Sequence, residues 1–168
     1  RVGGGDHAGG SLFFDRDGNL VTAVGDNSHS KDMFGSVNET MINLNALRTA
    51  GNTNNLMGKI LRIKPIPFSD DENPTMGIGS TYEIPQGNFA EYYQAQMGLT
   101  PNMMSLIRPE VYAMGLRNPW TLKYDPVTNW MFTGEAGAQS ANDDDQKGTV
   151  SGDEFNLIKS PGNYGWPM

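Results

Sequence analysis

The chain has 168 residues, enough for one ordinary hydrophobic core, with 21 glycines, 10 prolines and only 18% charged residues. That balance excludes helical bundles and coiled coils and favours many short strands joined by turns. A net charge of −7 argues against nucleic acid as a partner, since phosphate binding takes clustered Lys and Arg, and the lack of cysteine excludes disulfides and thiolate metal sites. An acidic surface is compatible with neutral sugars and divalent cations. No stretch approaches the roughly 18 consecutive apolar residues of a membrane span. The chain opens on Arg1-Val2-Gly3-Gly4-Gly5 without an initiator Met or apolar signal region, and stops at Trp166-Pro167-Met168 after a Gly/Pro turn cluster. The expectation is an internal piece of a longer protein.

In chain order, His7 comes first, in a loop flanked by Gly3, Gly4, Gly5, Gly9 and Gly10. Residues 10–24 then read as strand, Asp-Gly turn, strand, ending in Gly25-Asp26. Residues 28–57 are irregular, and 58–63 alternate apolar and basic residues as a half-buried strand does. Residues 65–107 are again irregular, with a weak short-helix signal inside 88–97. A strand is expected over 108–114, a second hairpin over 121–133 ending in Gly134-Glu135, and a further strand over 154–158. The two hairpins match at a fixed offset of 110 positions, as in Asp15 and Asp125 (125 − 15) or Asn19 and Asn129 (129 − 19). Repeated hairpins mean repeated supersecondary units, and propeller blades run about 40–50 residues, so this offset fits two blades and one long insertion. Irregular stretches this long usually serve a site or cross between units. A generic β-sandwich is the alternative that periodicity alone allows.

Several residues carry chemistry. His7, presented by glycines that let backbone approach a ligand closely, suits a general base; a surface histidine in a frayed terminus is the plainer reading. Asp26 ends the returning strand and so lies near the segment before the first strand. There it is either an Asx-turn cap or the carboxylate that orients the imidazole. His29 reads as a solvated side chain. Arg117-Asn118 places a cation and an amide directly after a strand, where an arginine pairs with carboxylates or stabilises an oxyanion, or else sits on the surface before a turn proline. The loop 134–138 and the acidic run Asp143-Asp144-Asp145 suggest hard-cation sites, although the run lacks EF-hand spacing and reads better as solvated. No phosphate-binding glycine loop, zinc motif or nucleophile elbow is present.

Five blocks in order resemble the glucose/sorbosone dehydrogenase family, soluble sugar dehydrogenases that use pyrroloquinoline quinone. They are residues 7–12 (HAGGSL), 24–27 (VGDN), 52–63 (NTNNLMGKILRI), 108–119 (RPEVYAMGLRNP), and 153–158 with 162–167 (DEFNLI and GNYGWP). The resemblance implies an all-β fold, with residues 1–168 forming part (about half) of a six-bladed β-propeller with long inter-strand loops, incomplete at both ends. It implies oxidation of the anomeric carbon of an aldose by hydride transfer to pyrroloquinoline quinone, with Ca²⁺. By the same resemblance His7 is the catalytic base, Asp26 orients it, and Arg117 sits at the reacting quinone oxygen with Asn118 as a neighbouring cofactor contact. The family's Ca²⁺-holding Gly-Pro pair falls on Gly137-Ala138, with Ala in place of Pro. Glu154 and Tyr164 match positions of a second, structural Ca²⁺. The insertion from Gly134-Glu135 to Asp153 is longer than the compact form of the family. The partners implied are a sugar and an electron acceptor, protein or small molecule, in a periplasmic or secreted setting. The competing readings are a non-enzymatic propeller of the same fold that binds a protein or glycan, and a purely structural segment.

Overall fold

The computed structural model describes residues 6–28, 45–66, 81–137 and 152–167. The expected first hairpin is β1 (Leu12–Phe14) and β2 (Leu20–Val24), paired antiparallel with Phe13 opposite Val21. Its turn is tied by Asp15, whose carboxylate accepts the backbone N–H of Asp17 and Asn19 at 2.9 Å and the Asn19 amide at 2.9 Å. Next along the chain, β3 (Lys59–Pro65) lies antiparallel to β2, with Val24 opposite Lys59. The two-residue β4 (Tyr82–Glu83) pairs with the far end of β3. On the other edge of β3 lies β5 (Val111–Met114).

The second hairpin joins β6 (Pro119–Asp125) to β7 (Trp130–Glu135), and β8 (Glu154–Ile158) completes a three-stranded sheet. Its turn repeats the Asp anchor of the first but not the position of the left-handed residue, which is Gly18 (φ 77°) in the first. Asp125 accepts from the Val127 N–H at 3.0 Å, and Asn129 takes the left-handed conformation (φ 62°) that asparagine tolerates. The chain then returns to the first sheet as β9 (Gly162–Asn163), parallel to β5. The matched hairpins also touch: Phe13 stacks on Tyr124 at 5.0 Å, and the Tyr124 hydroxyl accepts the Arg16 N–H at 3.0 Å.

Alternation along the strands decides which face each side chain joins. Val21, Ala23, Ile60 and Tyr112 of the first sheet, with Leu116, meet Leu122, Met131 and Ile158 of the second in one apolar layer. Burying each large member is worth about 1.5–3 kcal/mol relative to exposure. The opposite face of the first sheet is covered by α1 (Phe89–Met97), whose Phe89 and Tyr93, one turn apart and stacked at 4.5 Å, pack with Leu61, Val111 and Met114. Asn88 pins the start of α1, donating to Arg62 O at 3.0 Å and Pro109 O at 2.9 Å. Gly98 ends it in the left-handed conformation (φ 65°). The weak helical signal in 88–97 is thus a helix made by tertiary contact. The four-residue α2 (Pro101–Met104), capped by Thr100, lies in a stretch the sequence presented as irregular.

Among the described residues the chain is therefore mostly β-sheet with two short helices, and neither sheet is closed. Both outer faces of the stack carry exposed apolar side chains, those of the first sheet lying beyond the strands that α1 covers. Leu12 (67% exposed) and Phe14 (60%) point away from the interlayer on β1, and Phe132 (45%) and Phe155 (92%) do so on the second sheet.

Candidate active site

Two chain segments cross where β2 ends, and glycine is what lets them. A Cβ on Gly25 would lie 2.6 Å from the His7 carbonyl oxygen. Gly9 takes φ +68°, with its Cβ position 2.5 Å from the Ala23 carbonyl oxygen. The crossing buries His7 (6% exposed) against Asp26 (0%), with imidazole Nδ1 2.7 Å from Asp26 Oδ1. The hairpin thus brings together the two residues that the sequence offered as base and orienter.

Asp26 is held by three further donors. Oδ1 accepts the Ser28 N–H at 2.8 Å, and Oδ2 accepts the Ser28 hydroxyl at 2.8 Å and the Trp166 indole N–H at 2.7 Å. With Asp26 acting only as acceptor, the imidazole Nδ1 is the donor, and Nε2 keeps its lone pair. Neither Ser28 nor Trp166 was singled out from the sequence as a site residue, although Trp166 falls in the GNYGWP block. Trp166 lies 140 positions from Asp26 and reaches it because β9 runs back alongside β5.

Arg117 follows β5 and joins this pair through the backbone, its carbonyl accepting the Asp26 N–H at 2.8 Å. Its guanidinium Nη1 donates to the carbonyls of Ala136 (3.0 Å) and Gly137 (2.7 Å), and its guanidinium carbon lies 5.4 Å from the centre of the Trp166 ring. Burial lowers the pKa of Arg117 from its ordinary value, and Asp26, Glu135 and Asp153 oppose that; the group remains a cation. Asn118 ties the same region to the base segment, with Oδ1 accepting the Gly9 N–H at 3.4 Å and its carbonyl accepting the Ala136 N–H at 3.2 Å. His7, Asp26, Arg117 and Asn118 therefore come together.

Two buried ionisable groups brace the site. Glu135 accepts the Arg117 backbone N–H and, at 3.3 Å, the Asn156 amide. Burial pushes its carboxyl up to about 7, with the Arg117 N–H opposing. Lys59, fully buried beside the Gly25-Gly58 backbone bond, donates from Nζ to the carbonyls of Thr49, Ala50 and Met57, each at 2.8 Å. Burial lowers its pKa to about 7, and the Asp26 charge opposes. Three carbonyl acceptors require three N–H donors, which only the ammonium supplies, so the geometry favours the charged form.

The residues matched to metal positions are less gathered. The Gly137 carbonyl faces the Arg117 guanidinium, and Ala138 lies outside the described residues. Glu154 sits opposite Glu135 across β7 and β8 and takes the Asn156 amide at 3.4 Å. The Tyr164 hydroxyl donates to Ser160 O at 3.1 Å, and burial lifts its pKa to about 12. Each of these two has its own partner. Among the described residues no group of three His, Cys, Asp or Glu is placed to hold a metal, and no helix is long and apolar enough to cross a membrane. The convergent carbonyls of Ala136 and Gly137 do suit a hard cation, since they already hold a positive charge. His29 and Asp143–Asp145 lie outside the described residues.

Comparison with known proteins finds sugar dehydrogenases among the relatives. Residues 100–168 match the family Glucose / Sorbosone dehydrogenase. The chain is 25% identical to the aldose sugar dehydrogenase YliI of Escherichia coli over 98% of its own length and 30% of that protein. It is 29% identical to the HIPL1 protein of Arabidopsis thaliana over 95% of its length and 18% of that protein. A solved glucose dehydrogenase superposes with a TM-score of 0.54 at 27% identity, covering 97% of this chain and 32% of the other. The resemblance to the glucose/sorbosone dehydrogenases is thereby borne out. The chain spans about a third or less of the length of these relatives.

Proposed function

We propose that the protein containing this chain is an aldose dehydrogenase, that the chain forms part of a six-bladed propeller, and that His7 is its base. The observation that carries the reading is the buried His7–Asp26 pair, with Nδ1 committed to the carboxylate at 2.7 Å, next to a cation at Arg117. Such a pair fixes the tautomer and stabilises the imidazolium formed when Nε2 removes the proton of the sugar's anomeric hydroxyl, a contribution of about 10²–10⁴-fold in rate. Arg117 supplies a buried positive charge for an oxyanion, and Asn118 an amide beside it. Glu135 holds Arg117 in place through its backbone N–H.

Pyrroloquinoline quinone, when bound, would supply the acceptor for the hydride that leaves the anomeric carbon, and Ca²⁺ the Lewis acid that polarises it. Arg117 and Asn118 would contact the quinone, and the carbonyls at Gly137 and Ala138 would hold the Ca²⁺. Arg117 and a cation compete for the Gly137 carbonyl, so loading requires the guanidinium to turn away from it. The exposed Phe132 and Phe155 on the outer face of the second sheet support the propeller reading, because a propeller packs a neighbouring sheet against a blade's face. A periplasmic or secreted location goes with this reading, as does a separate electron acceptor.

A propeller that only binds a protein or glycan would need no His7–Asp26 pair. Titrating the full-length protein with pyrroloquinoline quinone, with and without Ca²⁺, separates the two. Saturable, Ca²⁺-dependent binding is expected, and no binding in either condition overturns the dehydrogenase reading.

A further inference from the structure

We infer that Trp166 is a positioning residue that joins the His7–Asp26 pair to Arg117, so that base and cation are set by one side chain. The inference rests on the dehydrogenase reading for its catalytic consequence and on the geometry alone for the coupling. The indole N–H meets Asp26 Oδ2 at 2.7 Å, while the guanidinium carbon of Arg117 stands 5.4 Å from the ring centre. Trp166 belongs to neither apolar cluster. Its one polar atom goes to a fully buried carboxylate, and its backbone N–H is anchored on Gly115 O at 3.0 Å, two residues before Arg117.

Each contact has a distinct physical effect. The indole N–H holds Oδ2, and together with the two Ser28 donors it stops the carboxylate from rotating, which keeps Oδ1 on Nδ1 of His7. The ring offers its electron-rich face to the guanidinium and so supports Arg117 in the burial that lowers its pKa. The two effects depend on different parts of one side chain and are separable by substitution.

The test uses the full-length protein loaded with quinone and Ca²⁺. Trp166→Phe keeps the aromatic face and loses the N–H. It is expected to lower kcat by about 10–100-fold, the range for losing a hydrogen bond to a charged group, with quinone affinity unchanged. Trp166→Leu is expected to lower kcat similarly and to weaken quinone binding as well. Independently of activity, the Trp166 indole proton in ¹⁵N-labelled protein should exchange slowly with solvent and shift in Asp26→Asn. If folded Trp166→Phe has wild-type kcat, or if the indole proton exchanges freely and ignores Asp26→Asn, the inference is overturned. Where Trp166→Phe does not fold, the indole proton decides. Should the wild type bind no quinone, the dehydrogenase reading fails while the indole result still reports on the coupling.

Discussion

Asp26 has both oxygens occupied by donors, and that fixes the His7 imidazole through its Nδ1, as the proposed role of base requires. Replacing it by asparagine puts an amide where the carboxylate was. An amide N–H facing Nδ1 drives the imidazole proton to Nε2 and removes the base. Asp26→Asn is therefore expected to lower kcat by about 10²–10⁴-fold with little change in substrate KM, measured by steady-state kinetics of the full-length protein. Glu135 makes a pH prediction. Its carboxyl is raised by burial to about 7, above its ordinary value near 4.5, so the native state keeps a proton that the unfolded chain loses. The contribution of Glu135 is thus fully present below about 4.5 and is lost as pH rises through about 7. Urea unfolding across that window should show wild-type stability falling relative to Glu135→Gln; parallel curves would contradict the assignment. At this scale the sequence was partly legible. His7 and Asp26 were readable because a hairpin must bring its two ends together. Trp166 was not, because nothing local marks a contact across 140 positions. Glu135 was read as part of a cation loop, whereas it faces the Arg117 backbone.

The elements succeed or fail on a few anchors. Lys59, the first residue of β3, donates to three carbonyls of the 45–57 segment, and Lys59→Met would take the side-chain donor from all three: Thr49 O keeps the Asn52 N–H and Ala50 O the Gly115 N–H, while Met57 O loses its donor. An orphaned acceptor costs about 1–3 kcal/mol, so a loss of about that size is expected in denaturant unfolding. Gly25→Ala would press a methyl group into the His7 backbone at 2.6 Å. It should destabilise by about 1–3 kcal/mol and impair turnover together, because the base segment has to move. The strands of both hairpins, β3, β5 and β8 were legible from alternation and turn residues. β4 and β9 were not, since two residues carry no period, and α2 is likewise too short to show one. α1 gave a weak signal because its stability comes from Phe89 and Tyr93 against the first sheet and from Asn88 on two strand carbonyls.

On the scale of the molecule, two sheets share one apolar layer and leave Leu12, Phe14, Phe132 and Phe155 exposed on the outer faces. An isolated protein rarely leaves such faces bare, whereas a blade stack continued on both sides covers them. The repeat of hairpins made this stacking legible in the sequence; which residues would hold a quinone or Ca²⁺ depends on packing that no local pattern encodes. The central claim is that His7, oriented by Asp26, is the base of an aldose dehydrogenase. Its most direct test is sugar-dependent reduction of an artificial electron acceptor by the full-length protein, supplied with pyrroloquinoline quinone and Ca²⁺, in wild type and His7→Ala. The account predicts turnover in the wild type and a fall of about 10²–10⁴-fold in His7→Ala with quinone binding retained. Undiminished turnover in His7→Ala would contradict it.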